Sequence, residues 1–328
     1  MSHPVKARIS SVGHFLPEDK LTNADLEKLV ETNDEWITSR TGIRERRILK
    51  DPAKATSYMA TEAAKEAIAE RGLDPADIDC IIVGTVTSDY MFPSTACLVQ
   101  KRIGAVNAYA FDVSAACSGF LYALTTGAMM IESGRYKNVL VIGADKMSAI
   151  IDYTDRATCI IFGDGAGAVL LEPTTDGTGI QDFIQVSDGD EDELLVQKGG
   201  GSLHPASHET VDNNWHYIKQ DGKTVFKKAT EAMADISAAL MKKNNLTADN
   251  VAWLAPHQAN LRIIDATARR MDLPMDKVMV NIGEYGNTTA GTIPLCLYDW
   301  KDKLKKGDNV ILAAFGGGFT AGAVYLKW

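Results

Sequence analysis

Three apolar runs in the first half of the chain return in the same order in the second, and no other feature limits the fold as tightly. The run at residues 79–85 is echoed at 251–257, and that at 138–144 at 309–315, with nearly equal separations. A third pair, 163–171 and 318–326, lies closer together, which an insertion around residues 146–161 accounts for. Such short apolar runs between turn residues read as strands. Segments of helical length lie between them, so strand alternates with helix in two related halves, 1–173 and 174–328.

Two of the helical segments are apolar around their whole circumference. One runs from Ser118 to Ile131 and the other from Thr288 to Tyr298, with Pro294 tolerable in a first turn or as a kink. A helix without a polar face has to be covered on every side. Two of them in matching places of a repeat imply a sheet above and below and further helices outside, in layers of the form αβαβα. Under this alignment Cys117 and the pair Asn287 and Thr288 open equivalent helices and face one site.

A free cysteine is usually a small buried hydrophobe, and packing alone would explain Cys117. Its setting argues for chemistry. At the first turn of a buried helix the sulfur lies beside unpaired N–H groups and the positive end of the helix dipole, which can lower a thiol from ~8.5 into the range of roughly 3.5–7.5. Far downstream, His257 follows an apolar strand and Asn287 follows Gly286. Singly, His257 reads as a packing histidine and Asn287 as a helix N-cap. With Cys117 they make a thiol nucleophile and two polar helpers.

Composition narrows the class further. The 328 residues exceed the usual single-domain size, and 45% hydrophobic with 23% charged residues is ordinary for a soluble enzyme. The sequence offers neither a signal peptide nor an apolar stretch long enough to cross a bilayer, so a cytoplasmic protein without membrane insertion is expected. A formal charge of -9 argues against nucleic acid as a partner. The 5 cysteines (Cys80, Cys97, Cys117, Cys159 and Cys296) never pair as C-x-x-C, which speaks against a disulfide framework or a metal site. His204 and His208 flank Pro205 after a glycine-rich run and read as surface residues, as does the loop at 198–202.

The motifs at 114–119, 33–37, 40–43, 162–167, 257–260, 286–288 and 316–320 together resemble the condensing enzymes of the thiolase superfamily, and specifically the β-ketoacyl-acyl-carrier-protein synthase III family. The resemblance runs from near the N-terminus to Trp328. Elongating synthases use a Cys-His-His set and thiolases carry a second cysteine near the C-terminus, whereas this chain has Asn287 and a cysteine-free run at 316–318. Plant-type polyketide synthases share Cys-His-Asn, so an enzyme of polyketide, quinolone or long-chain ketone synthesis stays open, as does a noncatalytic acyl-thioester-binding protein. Ala321 departs from the family, where many members carry tryptophan.

The resemblance implies a duplicated, five-layered αβαβα thiolase fold and the decarboxylative condensation of an acyl-CoA starter with malonyl-acyl carrier protein, without a cofactor, acyl-CoA being a substrate. Cys117 would carry the acyl group, with its own N–H and that of Gly317 as oxyanion hole, while His257 and Asn287 donate to the malonyl thioester oxygen. Trp36, Arg40 and Arg156 would hold the adenine of coenzyme A, and Gly222, Phe226 and Asn260 would line the tunnel for its pantetheine arm. Met147, Phe162 and Leu195 would line the acyl pocket, closed across a homodimer by Phe92. Lys227, Arg262 and Arg269 would meet the acidic carrier protein.

The residues alone also allow blander readings. Trp36 and Arg40 share a helix face and could simply pack together. Phe226 belongs to the apolar series Val225, Ala229, Met233, Ile236 and Leu240, the glycine run could be only a turn, and Arg262 and Arg269 could be a solvated face.

Overall fold

The computed structural model describes residues 4–190 and 193–328. In a five-stranded sheet, β1 (Lys6–Phe15), β2 (Cys80–Gly84), β3 (Tyr109–Val113), β4 (Val139–Lys146) and β5 (Asp164–Thr174) lie in the order β1-β5-β4-β2-β3. In a four-stranded sheet, β6 (Gly179–Ser187), β7 (Trp253–Pro256), β8 (Asn309–Gly316) and β9 (Thr320–Lys327) lie in the order β7-β8-β9-β6. The β2/β4 pair is parallel, and β4/β5 and β5/β1 are antiparallel. The same directions recur in β7/β8, β8/β9 and β9/β6. The three echoed runs therefore become β2 with β7, β4 with β8, and β5 with β9. Where the first sheet has β3, the second has a single parallel bridge from Leu254 to Val278.

The helices are α1 (Asp34–Thr41), α2 (Thr56–Arg71), α3 (Thr95–Ile103), α4 (Gly119–Glu132), α5 (Gly222–Lys243), α6 (Leu261–Arg270) and α7 (Thr292–Trp300). The two without a polar face, α4 and α7, touch both sheets. Phe120, Leu121, Leu124 and Ile131 of α4 are wholly buried, as are Cys296 and Leu297 of α7. Burying each large apolar side chain there contributes about 1.5–3 kcal/mol, and one charge in their place would break the layer.

Outside the first sheet lie α2 and α3; outside the second lies α5, with α6 packed on it. The outer helices are two-faced. In α5, Met233, Ile236 and Leu240 are buried whereas Lys227, Glu231 and Asp235 face solvent. The layers are thus helix, sheet, helix, sheet, helix, as the all-apolar helices require. Small residues set the spacing: at Gly143 of β4 a Cβ would stand 2.1 Å from the Ala290 carbonyl oxygen.

Candidate active site

Cys117 lies in a single 3-10 turn, Ala116–Ser118, that runs into α4. Two hydroxyls fasten this turn to β9: Ser118 Oγ donates to the Thr320 oxygen at 3.2 Å, and Thr320 Oγ1 donates to the Ala115 oxygen at 3.1 Å. Ala116 takes a left-handed φ of 45° to fit the bend. Gly316, at the end of β8, passes so close that a Cβ there would lie 2.7 Å from the Cys117 nitrogen. Burial first, and the Asp145 carboxylate second, push the thiol up. The helix N-terminus acts against both, but the resting group is a thiol, which differs from the thiolate its position in the sequence suggests.

His257 follows β7, and its N–H donates to the Ala313 oxygen at 2.7 Å. The ring is 1% exposed, with Nδ1 2.7 Å from Thr292 Oγ1, and burial pulls its pKa down to about 3. It is a neutral imidazole at physiological pH. Asn287 is held by its backbone, donating to the Ile161 oxygen and accepting from the Gly163 N–H, both at 3.0 Å. Its Oδ1 accepts the Thr289 N–H at 2.8 Å, which assigns the amide NH2 as its remaining, donating end.

Cys117, His257, Asn287 and Gly317 all line one cavity of about 1160 Å³. Met147, Phe162 and Leu195 line it as well, giving apolar wall. Toward solvent the same cavity is bordered by Trp36, Arg40 and Arg156, then by Gly222, Phe226, Asn260 and Arg262. The arginines already stack on Trp36, with guanidinium carbons 4.9 Å (Arg40) and 5.0 Å (Arg156) from the ring centre. Arg262 covers Phe226 at 4.5 Å, so Phe226 is half-buried at the cavity while Ala229 and Met233 behind it enter the core. Asn260 ties the rim together: Oδ1 caps α6 at the Arg262 N–H and Nδ2 donates to the Arg40 oxygen, both at 2.9 Å.

Three predicted residues lie away from this cavity. Phe92 is 86% exposed beside exposed Tyr90 and Met91. Lys227 faces solvent, and Arg269 is exposed and paired with Asp265 at 2.9 Å. Of the two histidines read as surface residues, His208 is exposed, whereas half-buried His204 packs on Trp215, 4.8 Å between ring centres.

The sequence matches the model of the family 3-oxoacyl-[acyl-carrier-protein] synthase III over residues 111–189 and its C-terminal counterpart over 241–328. It is 60% identical to β-ketoacyl-[acyl-carrier-protein] synthase III of Chlorobium chlorochromatii, over 99% of this chain and 100% of that one. The chain belongs to the β-ketoacyl-[acyl-carrier-protein] synthase III family. A solved synthase III from Aquifex aeolicus, 46% identical, superposes with a TM-score of 0.90 over 98% of this chain and 100% of that one. The priming β-ketosynthase of the R1128 polyketide pathway, 30% identical, also gives 0.90, over 99% of this chain and 97% of the other.

The synthase III chain is thus an acyl-transferring condensing enzyme on the duplicated thiolase fold. Ala321, the departure from the family pattern, is 3% exposed in the cluster that holds Phe315 and Phe319. The sequence motifs include Gly316 only as part of the glycine run, with no role of its own, and leave out Asp145 and Thr292, although a lone carboxylate at the end of an apolar strand is a signal for Asp145.

Proposed function

We propose that this chain condenses an acyl-CoA starter with malonyl-acyl carrier protein and so initiates fatty-acid synthesis. What carries the reading is one cavity with arginines and Trp36 at its exposed rim and a thiol, an imidazole and an amide at its buried end. Phosphates suit the first and a thioester suits the second.

Cys117 Sγ attacks the acyl-CoA carbonyl, its proton leaves with the coenzyme A thiol, and the acyl group stays on sulfur. The N–H groups of Cys117 and Gly317 receive the negative oxygen. Trp36, Arg40 and Arg156 grip the nucleotide, and Gly222, Phe226 and Asn260 flank the pantetheine arm. The malonyl arm then enters the same tunnel. His257 Nε2–H and the Asn287 NH2 stabilise the enolate as the carboxylate leaves as carbon dioxide, and the enolate carbon attacks the acyl carbonyl. The carbon–sulfur bond to Cys117 breaks, the thiol takes up a proton, and β-ketoacyl carrier protein departs. Met147, Phe162 and Leu195 bound the acyl chain, and no cofactor takes part.

Exposed Phe92 suits a homodimer in which it closes the partner's acyl pocket, and Lys227, Arg262 and Arg269 suit an acidic carrier protein. The halves 1–173 and 174–328 read as products of one duplication, in a cytoplasmic enzyme. A competition between malonyl-acyl carrier protein and malonyl-CoA, with acyl-CoA as starter, tests the function. The expected product is carrier-bound β-ketoacyl chain; equal use of malonyl-CoA would move the enzyme to ketone or polyketide chemistry.

A further inference from the structure

Thr292 puts a hydroxyl into the otherwise apolar start of α7, where the residue is 2% exposed. Its Oγ1 lies 2.7 Å from His257 Nδ1 and 3.0 Å from the Thr289 carbonyl oxygen. A hydroxyl has one proton and gives it to one acceptor at a time. Given to Thr289, it leaves Nδ1 as the protonated ring nitrogen, and Nε2 turns a lone pair toward the cavity. Given to Nδ1, it leaves the ring proton on Nε2, and the cavity meets a donor. Since burial holds the ring neutral, the two arrangements exclude each other.

We propose that Thr292 is a positioning residue: its hydroxyl donates to His257 Nδ1 and thereby fixes Nε2–H toward the malonyl thioester oxygen. Two features favour this direction. The contact to Nδ1 is the shorter one, and the Thr289 oxygen already accepts the Thr292 backbone N–H, so it is satisfied without the hydroxyl. The inference rests on the condensing reaction proposed above, in which that oxygen gains negative charge as carbon dioxide leaves. A lone pair on Nε2 would repel it, and the wrong tautomer of an active-site histidine is costly even when its position is unchanged.

The test is nitrogen NMR of the histidine ring in the free enzyme, together with separate rates of acyl transfer and malonyl decarboxylation, for wild type, Thr292→Val and Thr292→Ser. Wild type and Thr292→Ser are expected to carry the proton on Nε2, whereas Thr292→Val shifts it toward Nδ1. Decarboxylation of malonyl-acyl carrier protein by Thr292→Val should fall by about ten- to a hundred-fold in kcat rather than KM, with Thr292→Ser within a few-fold of wild type. Retained acyl-adduct formation on Cys117 reports that the valine variant is folded.

A proton on Nδ1 in the wild type overturns the proposal, as does a valine variant with unchanged tautomer and rate, or a serine variant that fails to rescue. Should the valine variant not fold, the wild-type tautomer and the serine variant still decide. A wild type that acylates yet never condenses would instead sink the condensing reading, with the tautomer read independently.

Discussion

Asp145 and Gly316 stand at the same place in the two sheets, one residue past the matched runs 138–144 and 309–315. Asp145 is fully buried, and its Oδ1 accepts from Thr85 Oγ1 at 2.9 Å, from the Val86 and Thr87 N–H groups at 2.9 and 3.1 Å, and from Thr87 Oγ1 at 2.8 Å. Its Oδ2 accepts the Ala290 N–H at 3.2 Å, closing the 3-10 turn Thr289–Gly291 that leads into α7. At the other helix the corresponding turn holds Cys117, and the residue facing its N–H is a glycine. One helix start is filled by a carboxylate of the fold; the other is kept clear. The duplicated scaffold thus supplies two polar helix starts, and in the proposed mechanism only the clear one receives a substrate oxyanion.

The most severe way to break this comparison is to move the thiol across the pseudo-symmetry axis. Cys117→Ala should lose the acyl adduct completely, and adding Ala290→Cys should not restore it, because that position faces the Asp145 carboxylate; intact-mass spectra read both. Filling the clear side comes next. Gly316→Ala forces a methyl to within 2.7 Å of the Cys117 nitrogen, and acyl transfer should drop by about 10²–10³-fold, the usual cost of losing an oxyanion donor. His257→Ala should cut condensation by a similar factor of about 10² while sparing most acylation, and equal loss of both steps in stopped-flow assays would undo the division of labour.

Effects on the filled side fall on stability. Asp145→Asn swaps an acceptor for a donor against a cage of donors, so denaturant unfolding should report a loss of about 1–3 kcal/mol for each group left unsatisfied. The effect least visible at neutral pH is a pH slope. His257 stays neutral in the fold down to about 3, while an unfolded histidine protonates near 6.5. In that window the unfolded chain binds the extra proton, so stability falls as the pH drops from 6.5 toward 3. Melts of wild type should steepen there relative to His257→Gln; parallel curves would contradict a buried neutral ring.

The sheets were legible because whole apolar runs repeat, and α4 and α7 because apolar residues occupy nearly every side of them, the charges Glu132 and Asp299 falling only in their last turns. Cys117, His257 and Asn287 were legible as a motif set, and all three line one cavity. The pairing of helix starts needs correction: Cys117 corresponds to Ala290, not to Asn287 and Thr288. Asn287 precedes the 3-10 turn and is tied to Phe162 by a bridge, an offset of less than one helical turn that apolar patterning cannot register. Thr292 was hidden for a related reason, since one hydroxyl in an apolar helix reads as tolerated packing until its distance to a ring nitrogen is known. The importance of Gly316 lies in a side chain it lacks, and only its approach to Cys117 discloses that.

The most direct test of the account is intact-protein mass spectrometry of the wild type after exposure to a panel of acyl-CoAs, followed by malonyl-acyl carrier protein. One acyl adduct per chain on Cys117, lost when the malonyl carrier is added and replaced by β-ketoacyl carrier protein, is the predicted result. An adduct that persists after the malonyl carrier is added, or that forms equally well on Cys117→Ala, would contradict it.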